Sequence, residues 1–318
     1  MKQNKKLGFA ALGIIGLLTV GGAAWWLVEN NDDETTTKTT ATSDSTDQAQ
    51  ANMPSVSQNN NTASQQTTCL TALDNATVEC GSDFIVIESN GLPNHLMMTG
   101  ILEGGWNGQW PVAQDYTGSN AFRIPTTVQL ASSPTIAVKN AAGVTANGIP
   151  MFLPQSPGRA GDDNCVTYSD SGECLRDPVA DGEMDECGGH TGRGNDYHYH
   201  GPPTCMLEQL DKTEVAGYMM DGIPIYQDVL AGSKPVNDCG GYESPDGTIH
   251  YAFSSSYPYV TNCLLGEFAE GPSTSGSSVY TGNIDAKNSG SITDFVIQDD
   301  GCQTMTFSSG QSLTHCPS

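Results

Sequence analysis

A chain of 318 residues with 36 acidic against 12 basic side chains carries a formal charge of −24. That balance argues against nucleic acid or anionic lipid as a partner held through a basic surface. It suits a well-solvated extracellular surface, on which calcium is a weaker cofactor candidate than a transition metal, because no stretch matches the EF-hand loop.

In chain order, Lys2, Lys5 and Lys6 precede an uncharged run over residues 7–28. As a helix it would span about 33 Å, enough to cross a bilayer. Trp25 and Trp26 sit near its far end, where interfacial aromatics prefer to lie, and Glu29, Asp32, Asp33 and Glu34 follow. Residues 1–29 therefore read as a membrane anchor with its N-terminus in the cytoplasm. A signal peptide cleaved after Gly22-Ala23-Ala24 is the alternative, which would leave the protein secreted. Either reading puts the remainder in the periplasm or at the cell surface. Residues 30–68 are almost wholly Thr, Ser, Asn, Gln, Asp and Ala, and should form a flexible solvated linker, since they cannot bury enough surface to offset their ordering entropy.

Folded structure is expected from Cys69 onward, with a main domain over residues 69–266 and a Gly/Ser-rich appendage over 267–318. All 10 cysteines lie in this part. In an exported chain an even count reads as disulfides, although ten cysteines allow on the order of a thousand pairings. They fall in consecutive close pairs, so local bridges are expected: Cys69–Cys80, Cys165–Cys174, Cys187–Cys205, Cys239–Cys263 and Cys302–Cys316. Short apolar runs between turns predict strands at Phe84-Ile-Val-Ile87, Thr135-Ile-Ala-Val138, Ile149-Pro-Met-Phe-Leu153, Tyr218-Met-Met220 and Ile223-Pro-Ile-Tyr226. Residues 205–215 alone suggest a helix. The fold class is thus mainly β, loop-rich and disulfide-stabilised. Asn90-Gly-Leu-Pro93, Asn147-Gly-Ile-Pro150 and Asp221-Gly-Ile-Pro224 are three copies of one turn signal, with no chemical role. Acidic clusters at Asp162-Asp163 and Asp181-Gly-Glu183-Met-Asp185-Glu186 read as exposed turns.

The chemistry-bearing stretch is Cys187-Gly-Gly-His190, then Tyr197-His-Tyr-His200, then Cys205. It gathers three of the chain's six histidines. Tyr197 to His200 alternates strictly, so a strand would put both imidazoles on one face and both phenols on the other. His190 can return across the turn Thr191-Gly-Arg-Gly-Asn195 as a third ligand. Three imidazoles with an open fourth position suit a zinc that activates water, and the set also suits copper. Solvated histidines paired with Asp185, Glu186 or Asp196 are the plainer reading. A degraded copy follows 52 positions later, where Cys239, Gly240-Gly241 and His250-Tyr251 match but Tyr242, Ile249 and Ala252 replace His190, Tyr197 and His200. His250 and His95 are weaker metal candidates.

These blocks, with Gly217-Tyr218, Asp221-Gly-Ile-Pro-Ile-Tyr226, Asp238-Cys-Gly-Gly241 and Tyr257-Pro-Tyr259, resemble the YHYH-domain family of exported proteins over roughly residues 82–266. The resemblance implies a second histidine block as well, from which this chain departs at Tyr242 and Ala252. It implies no particular reaction. Three functions compete. The first is a membrane-tethered domain binding zinc or copper through His190, His198 and His200. The second is a metal-dependent hydrolase on the same cluster, with Asp185 or Asp196 as general base. The third is an adhesion protein whose Trp106 and Trp110 stack on glycans.

Overall fold

The computed structural model describes residues 65–74, 76–106, 108–136, 140–158, 165–169, 172–274 and 290–316. The predicted membrane segment, nearly all of the linker and Asp162-Asp163 lie outside these residues. Among the described residues no helix is long and apolar enough to cross a membrane. Gln65–Gln66, from the polar linker, pairs with Thr127–Val128. The Gln65 amide also brackets the Ile249 backbone, accepting from its N–H at 2.7 Å and donating to its carbonyl at 2.8 Å.

The architecture is mainly β. Its centre is a nine-stranded mixed sheet, in the spatial order Gly189–Thr191, Tyr197–Tyr199, Pro150–Met151, Gly143–Thr145, Val215–Met219, Pro224–Tyr226, Ile249–Ala252, Gly241–Glu243 and Lys234–Pro235. The strands are short because Gly and Pro interrupt every apolar run. Two inner hairpins turn at Asn147-Gly148 and Asp221-Gly222, where the glycines take φ of +73° and +83°. The proline that follows each glycine by two residues feeds an extended strand.

The central pairing is symmetric. Gly143–Thr145 runs antiparallel to Val215–Met219, with Tyr218 opposite Val144, Gly217 opposite Thr145 and Met219 opposite Gly143. On one side Tyr199 pairs in parallel with Met151; on the other Tyr251 pairs in parallel with Ile225. The outer hairpins share one register: Gly189–Tyr199, His190–His198 and Thr191–Tyr197 become Gly241–Tyr251, Tyr242–His250 and Glu243–Ile249. The repeated motifs therefore build two related halves about an approximate two-fold axis at the Val144–Tyr218 pair. At that axis a Cβ on Gly143 would stand 2.7 Å from the Tyr218 carbonyl, and one on Gly217 would stand 2.5 Å from the Val144 carbonyl. Alanine at either position should cost about 1–3 kcal/mol, by overpacking against backbone that cannot yield. Chemical denaturation of both variants checks it, and the two costs should be alike.

Ile85, Ile87, Phe122 and Ile124 bury one face of the three-stranded sheet Thr77–Cys80, Phe84–Glu88 and Phe122–Pro125. Ile292, Phe295, Met305 and Phe307 do the same for the C-terminal sheet Ile292–Ile297, Gln303–Phe307 and Ser312–His315. That sheet is tied to the rest: Ile292 exchanges backbone hydrogen bonds with Gly100 and Ile101, and Phe307 meets Trp106 at 5.5 Å between centroids. Five disulfides join Cys69–Cys80, Cys165–Cys174, Cys187–Cys205, Cys239–Cys263 and Cys302–Cys316, leaving no free cysteine.

Two local expectations need correction. The helix expected over residues 205–215 is a single turn, Thr204–Leu207. It lacks a side-chain N-cap, buries only Met206 and Leu207, and gives way to turns before Val215 enters the central strand. So short a segment cannot repay helix nucleation, and sheet pairing takes over. The acidic stretch 181–186 is not wholly an exposed turn, because Glu183 and Asp185 are buried.

Candidate metal centre

Asp185 organises the entry to the first outer hairpin. One carboxylate oxygen accepts from the N–H groups of Cys187 (2.9 Å) and Gly189 (3.0 Å). The other accepts from the Met98 N–H (2.8 Å) and the Tyr197 hydroxyl (2.7 Å). Gly188 takes φ +88°, and a Cβ there would stand 2.2 Å from the Pro202 carbonyl. The Cys187–Cys205 bridge closes the loop behind it. Burial raises the Asp185 pKa, while the four donors oppose the shift.

The alternation of Tyr197 to His200 sorts the side chains as a strand requires. Both tyrosines are fully buried on one face. The Tyr199 hydroxyl accepts from the Asn147 amide at 3.1 Å and meets His95 Nε2 at 2.7 Å. The histidines share the other face with His190, which lies directly opposite His198 in the hairpin. His190, His198 and His200 are only 8 %, 5 % and 5 % exposed, so they do not line a solvated surface. Their Nε2 atoms converge, 3.1 Å apart between His190 and His198 and 3.2 Å between His198 and His200. Two nitrogens bound at about 2.0–2.1 Å to one tetrahedral zinc stand about 3.3 Å apart, so the spacing fits.

The Nδ1 partners decide what the converging atoms are. His200 Nδ1 lies 2.7 Å from the Leu153 carbonyl, which can only accept, so Nδ1 carries the proton. His198 Nδ1 lies 3.0 Å from the Asp196 carbonyl and 3.1 Å from its carboxylate, again acceptors only. In their neutral forms both residues therefore aim bare Nε2 lone pairs at each other across 3.2 Å. That arrangement is repulsive unless a cation lies between them. Phe152, 4.3 Å from His198 between ring centroids, helps to cover the group.

Burial lowers the His190 pKa well below the ordinary value, and the neighbouring His198 and His200 lower it further. Burial and His198 likewise push His200 down to about 3, against a modest upward pull from the Leu153 carbonyl. The unfolded chain takes up these protons near pH 6.5, whereas the folded metal-free protein resists them. Stability contributed by His200 is thus complete above pH 6.5 and is lost as the pH falls toward 3, and His190 acts in the same direction. Between pH 6.5 and 5 the resistance of His200 should cost the metal-free protein on the order of 1–2 kcal/mol. Denaturation midpoints measured across that range should fall less steeply for His200→Phe.

The weaker candidates lie elsewhere. His95 sits on the tyrosine face, near Cys187 and Cys205. Those sulfurs are bonded to each other, so they are not thiolate ligands. His250 stacks on Tyr242 at 5.8 Å, with Nδ1 3.2 Å from the Ser244 hydroxyl and Nε2 accepting from the Leu230 N–H. It meets no second imidazole, because Tyr242 and Ala252 occupy the matching positions. Asp185 is committed to four donors, and Asp196 holds the Nδ1 side of His198. Sequence reasoning missed the Leu153 carbonyl, Phe152 and Glu183, whose carboxylate is 3.7 Å from His190 Nδ1. Only Glu183 left a signal, being seven residues before His190.

Fold and site define a disulfide-framed β domain of two related halves, one of which carries a buried three-histidine cluster able to hold a metal ion. Residues 121–239 match the family model described as YHYH protein, a stretch that covers both inner hairpins and the histidine hairpin and supports the resemblance read from the sequence. No curated protein and no solved structure matches the chain.

Proposed function

We propose that this domain binds a divalent transition metal, zinc or copper, through the Nε2 atoms of His190, His198 and His200. The observation that carries the reading is the convergence of three Nε2 atoms, with the Nδ1 protons of His198 and His200 committed to acceptors. Neutral imidazole nitrogens favour zinc or copper over calcium, which prefers oxygen ligands. Five disulfides are consistent with an extracytoplasmic compartment. In our reading residues 1–29 tether the domain there. The site acts as a binding or structural centre, since hydrolysis would need a base facing the metal and both candidate carboxylates are engaged elsewhere. Glycan stacking by Trp106 and Trp110 has little support, because both rings are buried. Metal analysis and titration of the purified full chain test the proposal. One equivalent of zinc or copper is expected, and a protein that takes up neither overturns it.

A further inference from the structure

Each imidazole of the cluster presents its second nitrogen to an oxygen, but not equally. His200 has the Leu153 carbonyl at 2.7 Å and His198 has Asp196 at 3.0 and 3.1 Å. His190 has the Glu183 carboxylate, at 3.7 Å. That separation is beyond a hydrogen bond, yet the carboxylate is held in place. Its other oxygen accepts from Arg176 Nη2 at 3.0 Å, and Arg176 Nη1 bonds Asp181. The Glu183 N–H donates to the Pro178 carbonyl at 3.0 Å. Asp177 fixes the same turn, accepting from the N–H groups of Val179 and Ala180 and from the Tyr259 hydroxyl. Gly182 takes φ +73° there, and a Cβ on it would stand 2.8 Å from Leu102. A buried glutamate has thus been built to a fixed place on the outer side of His190.

We infer that Glu183 is the positioning residue of His190. When a metal draws the His190 Nε2 lone pair, the Nδ1–H becomes a stronger donor, and the imidazole and carboxylate close to a hydrogen bond. This rests on the proposed metal site.

Zinc titration of the full chain tests this, with wild type, Glu183→Gln and His190→Ala compared. Glu183→Gln keeps the shape and removes the charge. Its zinc affinity should fall about 10–100-fold, as is usual when an outer partner of a ligating histidine is lost. Wild-type affinity in Glu183→Gln, alongside lost binding in His190→Ala, would overturn the positioning role and leave the metal site standing. Absence of zinc binding in wild type would overturn both. Nitrogen-15 NMR of the zinc-loaded wild type gives a readout that does not depend on the variant folding. The His190 Nδ1–H should resonate downfield and exchange slowly. In Glu183→Gln it alone should move, while the His198 and His200 signals stay. A His190 that ligates through Nδ1, or whose Nδ1–H exchanges freely, overturns the inference.

Discussion

His198→Ala should abolish stoichiometric zinc binding while leaving the disulfide frame folded. His198 is the middle member of the cluster, with Nε2 within 3.2 Å of both neighbours, so its loss removes a ligand and separates the other two. The affinity loss should exceed the 10–100-fold expected from disturbing an outer partner alone. Zinc at a hundred times its Kd stabilises a folded protein by about 2.7 kcal/mol, and that increment should vanish in the variant. The metal-free protein should respond differently. Deleting the ring leaves a void beside Phe152, but it also removes two opposed lone pairs, so the terms partly cancel. Isothermal titration and thermal unfolding with and without zinc separate these effects. His250→Ala serves as the control and should bind one zinc normally. Unchanged affinity in His198→Ala would remove the cluster from consideration.

Asp185→Ala should destabilise the domain by about 3–5 kcal/mol, enough to unfold a marginal protein. Three backbone N–H groups and the Tyr197 hydroxyl lose their only shared acceptor, all of it buried. Each unpaired buried donor costs about 1–3 kcal/mol, reduced where water can enter. Asp221 does the same work in the other half, accepting from the N–H groups of Ile223, Leu265 and Gly266 and from the Tyr251 hydroxyl. Asp221→Ala should therefore be similarly severe, although it lies far from the histidine hairpin in the sheet order. Denaturant unfolding with the disulfides intact checks both. An Asp185→Ala protein within 1 kcal/mol of wild type would undo the structural reading and reopen the catalytic one.

Much of this was legible in the chain. Period-two alternation placed His198 and His200 on one face without any knowledge of the fold, since neighbouring side chains in a strand must point oppositely. The recurring Asn-Gly-Ile-Pro and Asp-Gly-Ile-Pro signals marked the two inner hairpins, because the glycine must take positive φ and the proline must continue extended. Burial was harder to read. Asp185 and Glu183 sit among Asp, Gly and Met, a composition typical of exposed turns. Only the surrounding chain, including Met98, Arg176 and Pro178, supplies the partners that let two carboxylates stay inside. The short helix at Thr204–Leu207 failed to extend for a similar reason: the strand beginning at Val215 gains more from the central sheet than from another helical turn.

By itself, then, the sequence determined the β class, the alternating faces, the duplicated turn signals and the identity of the three histidines. These are local properties, set by steric preference and by periods of two to five residues. The tertiary structure alone decided that the halves meet about an axis at Val144 and Tyr218, and that His190 stands across from His198. It alone brought the Leu153 carbonyl to His200 and the Glu183 carboxylate to the outer side of His190. Those contacts join residues up to 47 positions apart, as between His200 and Leu153. No local preference encodes them, because they form only once the strands pair and the core closes over the cluster.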